Sequence, residues 1–213
     1  MTFSKEFKEA VCLLSTKEKD KLLLRLLKKD PILSERLKFE LISKDTVDDR
    51  RLILKHELLD QIERSSWHEK RYFTLKSLHR NVRYWSSDIT YHVKVTADKF
   101  GEAYLNLIMI SKVLELNNSY VLKVRDQLIV HKFYIAVIAR AFKIMILINK
   151  LDKDYFMEFE ALLKTFGKLI NENEHLHSKA KEHGLQLDWL LEADIPENMV
   201  EIHKEIKAKG LLK

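Results

Sequence analysis

The stretch LIVHKFYIAVIARAFKIMILI, residues 128–148, is apolar on nearly every side of the helix that its length predicts. It is long enough to span a membrane, but it contains Lys132, Arg140 and Lys143, and each of these cations costs about 2.5 to 3.5 kcal/mol near the centre of a bilayer. A helix with apolar sides all round is typical of the centre of a globular protein, where other helices cover it. We therefore predict that residues 133–148 are mostly buried and that the chain has no membrane span.

Two cations of this stretch share one side of the predicted helix. Arg140 and Lys143 are three residues apart, so their side chains project in similar directions. Because a buried charge without a partner is costly, we expect that side to reach solvent or to meet carboxylates from another helix.

The sequence around this stretch carries start and stop signals for further helices. The chain has only 4 Gly and 2 Pro, which is too few for the turns of a sheet protein of this size. Ser15 with Glu18, and Thr46 with Asp49, form capping-box patterns. The predicted helices run over 4–14, 15–29, 30–43, 46–64, 67–95 (as one helix or two), 98–116, 119–150, 152–182 and 196–210, with a short segment at 185–191. The prediction is an all-α fold, an irregular multi-helix bundle or short helical array of about 8–10 helices with no sheet.

The chain has no linker rich in Pro, Gly or Ser, so we predict one all-helical domain over 1–213. The short turns near the start allow a second division, with an N-terminal helical-hairpin subdomain over 1–65. Gly101 and Gly167 lie inside helical patterns, where each costs about 1 kcal/mol against Ala. Their positions predict a kink or a close approach of another chain segment.

The net charge of +6 is unevenly distributed along the chain. Residues 1–100 contain 22 Lys/Arg and 16 Asp/Glu, whereas residues 101–213 contain 16 of each. A basic half of this kind suggests an anionic partner, which would be nucleic acid, a membrane surface or an acidic protein; the alternative is that the charge only keeps the chain soluble. Cys12 is the only cysteine, which excludes an intrachain disulfide, and the start MTFSKEFKEA lacks the apolar run of a signal peptide. We therefore expect a reducing, cytoplasmic location.

The stretch RYFTLKSLHRNVRYW, residues 71–85, combines cations and aromatic rings. On a helix at 100° per residue, one apolar stripe faces the core and consists of Tyr72, Leu75, Leu78, Val82, Trp85, Ile89 and Val93. A second, basic stripe consists of Lys76, Arg80, Arg83 and Lys94. A third, aromatic row consists of Phe73, Tyr84 and Tyr91. Residues 64–83 contain six Lys/Arg and one acid, Glu69.

A basic stripe beside exposed aromatic rings is typical of proteins that bind single-stranded nucleic acid, where cations contact phosphates and rings stack on bases. The alternative is that the aromatic row packs under another helix and the cations only form its rim. The predicted anion- or nucleic-acid-binding residues are Lys76, Arg80, Arg83, Tyr84, Phe73 and Lys94. The sequence thus favours a non-enzymatic binding or scaffold module.

An all-α enzyme with a site between helices is the second interpretation, either a metal-dependent nucleotide hydrolase or a nucleic-acid-processing protein. Glu174 and His177 have the i, i+3 spacing of one half of a di-iron site, but no second such pair occurs. Glu197, Glu201 and Glu205 recur at i, i+4 without a matching acidic row on another helix. The weak metal candidates are therefore Glu174 and His177, and we expect no cofactor and no bound metal.

Overall fold

The computed structural model describes residues 2–69 and 72–212, and within this part of the chain it is helical throughout, with no strand. The helices are α1 Lys5–Leu13, α2 Thr16–Leu27, α3 Pro31–Ile42, α4 Val47–Arg64, α5 Leu75–Thr96, α6 Lys99–Val121, α7 Gln127–Ile148, α8 Phe156–Asn171, α9 Glu174–Glu182, α10 Asp188–Leu191 and α11 Met199–Ala208. A 3-10 turn at Lys153–Tyr155 leads into α8. The predicted all-α bundle or array is confirmed.

The first four helices begin where local capping signals predict. The Ser15 side chain caps α2 by accepting a hydrogen bond from the backbone N–H of Glu18. In return, the backbone N–H of Ser15 donates to Glu18 Oε2 at 2.9 Å. Thr46 caps α4 in the same way, with its N–H donating to Asp49 Oδ2 at 2.9 Å. These contacts lie within one turn of chain, so the sequence alone is enough to place them.

Several later boundaries differ from the prediction. The helix predicted from residue 67 begins only at Leu75, because Thr74 forms its capping box. The helix predicted from residue 119 begins at Gln127, where Asp126 accepts bonds from two backbone N–H groups of the first turn. The last helix begins at Met199 and not at Pro196.

The helix predicted over 152–182 is divided into α8 and α9 at Asn173. The Asn173 side chain is fully buried and caps α9, with its Oδ1 accepting from the backbone N–H of Leu176 at 3.0 Å. The same oxygen accepts from the Tyr134 hydroxyl at 3.2 Å. The break is therefore held by a residue of α7, which no local pattern in 152–182 could reveal.

Helix α7 lies at the centre of the core, as predicted. It packs against α5, α6, α9 and α11. Its buried side chains are Val130, Phe133, Tyr134, Ile135, Val137, Ile138, Ala141, Phe142, Ile144, Met145 and Ile148. In residues 2–69 and 72–212, no helix combines the length and the apolar character that a membrane crossing requires.

The two glycines inside helices mark close approaches, as predicted. A Cβ on Gly101 would lie 1.9 Å from Asp98 Oδ2, because the capping carboxylate covers the first turn of α6. A Cβ on Gly167 would lie 3.0 Å from Leu190 Cβ, where α10 crosses α8.

Helices α1, α2 and α3 contain no buried residue. Many of their large apolar side chains are exposed: Phe7, Leu13, Leu23, Leu24, Leu26, Leu33, Leu41 and Ile42. Helix α3 packs against α5, and α4 supplies Leu58 and Ile62 to the core. The single domain over 1–213, like the alternative subdomain over 1–65, stays a prediction.

Candidate nucleic-acid interface

The rotation of α5 about its axis is fixed by its apolar stripe. Leu75, Leu78, Val82, Trp85 and Ile89 are buried, as the spacing predicts. The indole N–H of Trp85 donates to Gln61 Oε1 of α4 at 2.9 Å, which locks the ring in place. The prediction fails for Tyr72, which is 80% exposed because it precedes the Thr74 cap and so lies outside the helix.

With the apolar stripe turned inward, the opposite side of α5 presents its cations to solvent. An open depression of about 510 Å³ is lined by Thr74, Lys76, Ser77, His79, Arg80 and Arg83, and we call it the basic depression. Lys76, Arg80 and Arg83 are exposed and follow one another at i, i+4 and i+7. This spacing places the three charges side by side on one face of the helix.

The cations of the basic depression have no carboxylate partner among the described residues. The ion pairs within 4.0 Å in residues 2–69 and 72–212 include neither Lys76 nor Arg80 nor Arg83. Other exposed cations, such as Arg36 and Lys38, pair with an acid one turn away. The basic depression therefore keeps its positive charge unneutralised.

The aromatic residues predicted beside the cations have two different environments. Tyr84 is 61% exposed and lies one turn after Arg80, so the two side chains are neighbours on the surface of α5. Phe73 is half-buried and packs edge-on against Tyr120, with ring centroids 4.6 Å apart. Tyr84 is thus available as a stacking platform, whereas Phe73 belongs to the rim of the core.

Lys94 shares the direction of the basic stripe but lies far from the basic depression. It is 18 residues after Lys76 on α5, which is about 27 Å along the helix axis. It is exposed, like the cations of the basic depression. Distance along the helix, which a projection down the axis ignores, separates Lys94 from the other cations.

A residue that sequence reasoning did not assign to this site, Arg140 of α7, lies directly behind it. The guanidinium donates to Ser86 Oγ at 2.9 Å, to the Val82 carbonyl at 3.4 Å and to the Ala136 carbonyl at 3.2 Å. Among the described residues it forms no ion pair, whereas Lys143 pairs with Glu102 at 2.9 Å. Lys143 thus meets a carboxylate, as expected, whereas Arg140 is partly exposed to solvent and bonds neutral oxygens.

The positive charge around Arg140 affects two titratable groups. Burial and, to a smaller extent, the charge of Arg83 lower the pKa of Arg140 to about 10. Burial also lowers the pKa of His79, and the charges of Arg140, Arg83 and Lys132 lower it further. The three described charges that lower the pKa of His79 are all positive. They lie on two helices, α5 and α7, that only the fold brings together.

A second groove, between α4 and α5, contains carboxylates. A cavity of about 450 Å³ between α4 and α5 is lined in part by Asp45, Glu57, Asp88 and Tyr91. Burial and the charge of Glu57 raise the pKa of Asp88. Arg50 also lines this groove and pairs with Asp45 at 3.9 Å, whereas the residues that line the basic depression include no carboxylate.

The weak metal candidates are not assembled into a site. In the part of the chain that the structure describes, no three His, Cys, Asp or Glu side chains are grouped so that they could hold a metal ion. Glu174 is exposed at the start of α9, and His177 is half-buried one turn later. Their neighbour His175 lines a separate cavity of about 490 Å³ together with His131 and Tyr134, a grouping that no sequence spacing indicates.

Comparison with known proteins gives no relative for this chain. No protein-family model, no curated protein and no solved structure matches it. The residues of the chain itself are therefore the basis for a functional proposal.

Proposed function

We propose that this protein is a non-enzymatic module that binds single-stranded nucleic acid through the basic depression and Tyr84. The observation that carries the proposal is the arrangement of Lys76, Arg80 and Arg83, three exposed cations that line one depression without a carboxylate partner among the described residues. Cations of this kind attract phosphates because binding releases the counterions of the strand.

The exposed ring of Tyr84 supports nucleic acid over other polyanions. A tyrosine beside a row of cations offers a flat surface on which a base can stack, and stacking contributes about 1 to 3 kcal/mol per base. An acidic protein would use the same cations but would gain little from the ring. A cytoplasmic location belongs to the same proposal, and the enzyme with a site between helices stays the alternative.

The test is fluorescence anisotropy with labelled single-stranded DNA and RNA at several salt concentrations. Three phosphate contacts predict a slope of about −2 in a plot of log affinity against log salt, at about −0.7 per contact. Changing Lys76, Arg80 and Arg83 together to Glu is expected to abolish binding. The change is expected to alter stability little, because exposed charges contribute less than about 1 kcal/mol each.

A matched control separates a local site from a net-charge effect. Lys150, Lys168 and Lys204 are exposed, belong to none of the ion pairs of the described residues and lie outside the basic depression. Changing these three to Glu alters the net charge by the same amount and is expected to leave most of the affinity. Equal binding by the two triple variants would contradict the proposal.

A competitor and one further variant identify the class of ligand. Tyr84→Ala is expected to cost about 1 to 3 kcal/mol of binding free energy if the ring stacks on a base. Polyglutamate is expected to compete only weakly with the labelled strand. Strong competition by polyglutamate, with no effect of Tyr84→Ala, would indicate an acidic protein as the partner instead.

A further inference from the structure

The positive surface of α5 continues onto α7, a helix that the basic depression does not include. The charges of Lys132 and Arg140 of α7 act on His79 of α5, and the charge of Arg83 acts on both His79 and Arg140; we call these four residues the basic seam. Lys132 is exposed, and it lies two turns before Arg140 on the same side of α7. The two helices pack against each other, and Arg140 joins them through its bonds to Ser86 and Val82.

Arg140 is the second, independent indication of an anion at this place. A partly buried guanidinium normally meets a carboxylate, because desolvation of the charge is otherwise costly. Here its described hydrogen-bond partners are neutral oxygens of Ser86, Val82 and Ala136. Its charge therefore stays uncompensated beneath the surface and adds to the attraction that an anion outside experiences.

His79 is the member of the basic seam that can change its charge near neutral pH. The charges that act on it are those of Arg83 on its own helix and of Arg140 and Lys132 on α7, and all three are positive. No described charge of α3, α4 or α6, which also pack against α5, is among them. Burial and these charges lower the pKa of the His79 imidazole in the free protein, and a nearby phosphate would favour its protonated form.

We propose that the bound single strand lies across α5 and α7, that Lys132 and His79 contact its phosphates beside the basic depression, and that His79 takes up a proton when the strand binds. The inference rests on the proposed function and extends it from one helix to two. Arg140 does not line the depression, but its guanidinium bonds Ser86 and the Val82 carbonyl of α5 and raises the positive potential there.

The experiment uses rhodamine-labelled oligothymidylate, whose bases and phosphodiesters do not titrate over the range tested. Affinity of the full chain is measured between about pH 8 and about pH 5.5, where histidine changes its charge. Affinity is expected to rise by about tenfold as the pH falls, because a nearby opposite charge shifts a pKa by about 1 unit or more. His79→Gln is expected to remove that rise. His56→Gln, an exposed histidine of α4, is expected to keep the rise.

Lys132 is tested by the salt dependence of the same binding. Lys132→Gln is expected to make the slope of log affinity against log salt shallower by about 0.7, the loss of one phosphate contact. Lys150→Gln, an exposed lysine just after the other end of α7, is expected to leave the slope unchanged. The basic seam is ruled out as a binding surface if Lys132→Gln keeps the wild-type slope or His79→Gln keeps the pH dependence.

The outcomes also separate this inference from the proposed function. If wild type does not bind, or if the triple Glu variant of Lys76, Arg80 and Arg83 binds equally well, the proposed function itself fails. If the triple Glu variant loses binding while Lys132→Gln and His79→Gln behave like wild type, the strand is confined to α5. In that case the proposed function stands and the extension onto α7 is wrong.

Discussion

Arg51 of α4 donates two hydrogen bonds to the buried carboxylate of Asp98, from Nε to Oδ2 at 2.6 Å and from Nη2 to Oδ1 at 2.9 Å. Asp98 also caps α6, with its Oδ1 accepting from the backbone N–H of Gly101 at 2.7 Å. His92 of α5 contacts Asp98 Oδ2 at 3.1 Å. One carboxylate therefore joins α4, α5 and α6, the helices that orient the basic depression.

Because Asp98 is ionised and bonded in the folded state, we predict that protonation of its carboxylate in acid lowers the stability of the fold. Burial would raise the pKa of Asp98, but the bonds from His92, Arg51 and Gly101 lower it more, to about 2 from its ordinary value of 3.8. Because the folded pKa is the lower one, the carboxylate contributes its stability above the ordinary value, and that contribution is lost as the pH falls toward 2. The contribution is about 2 kcal/mol. Urea unfolding at a series of pH values measures it, and Asp98→Asn is expected to show a smaller loss in acid than wild type. An equal loss in both would contradict this account.

Removal of the cationic partner is expected to be costly. Arg51→Met leaves the Asp98 carboxylate buried without its guanidinium and is expected to lower the free energy of unfolding by about 3 kcal/mol. Arg36→Met is the control, because Arg36 pairs with Glu40 on the surface at 2.8 Å. Its expected cost is below about 1 kcal/mol. Similar costs for the two variants would show that burial does not increase the contribution of the Arg51–Asp98 pair to the free energy of unfolding.

Replacement of Arg140 is expected to affect charge more than stability. Arg140→Met removes a partly buried cation that meets no described carboxylate, so the free energy of unfolding is expected to stay equal or to rise by up to about 2 kcal/mol. Ser86 Oγ keeps its bond to the Val82 carbonyl at 2.7 Å, so it is not left without a partner. The pKa of His79 is expected to rise, which an NMR titration detects. A loss of more than about 2 kcal/mol would instead assign Arg140 a structural role.

The central position of α7 is tested within the helix itself. Phe142 is fully buried, and Phe142→Ala is expected to cost about 3 to 5 kcal/mol. Leu128, on the first turn of the same helix, is 65% exposed. Leu128→Ala is expected to change the free energy of unfolding by less than about 0.5 kcal/mol. Chemical denaturation of both variants provides the comparison, and a small cost for Phe142→Ala would disagree with the packing around α7.

The two ends of the chain are expected to differ in their contribution to stability. Helices α1 and α2 contain no buried residue, so deletion of residues 2–29 is expected to change the melting temperature by less than about 4 °C. Helix α11 buries Met199 and Ile206, so deletion of residues 197–213 is expected to lower the melting temperature by more than the N-terminal deletion does. A large decrease for the N-terminal deletion would indicate that α1 and α2 support the core.

The sequence by itself determined the all-α fold, the first helix boundaries and the core position of α7. These follow from local rules, since a capping box such as Ser15 with Glu18 closes within one turn and apolar periodicity sets which side of a helix is buried. The same rules turned Lys76, Arg80 and Arg83 away from the core face of α5. That part of the candidate site was therefore predictable.

Tertiary structure alone decided which groups meet across helices. No pattern in the sequence pairs Arg51 with Asp98, 47 residues later, or brings Arg140 within 2.9 Å of Ser86, 54 residues earlier. It also decided that Phe73 packs on Tyr120 while Tyr84 stays exposed, although both belong to the same aromatic row. Helix periodicity gives the direction of a side chain but not what lies opposite it. The field around His79 comes from charges on two helices and so exists only once α5 and α7 are packed together.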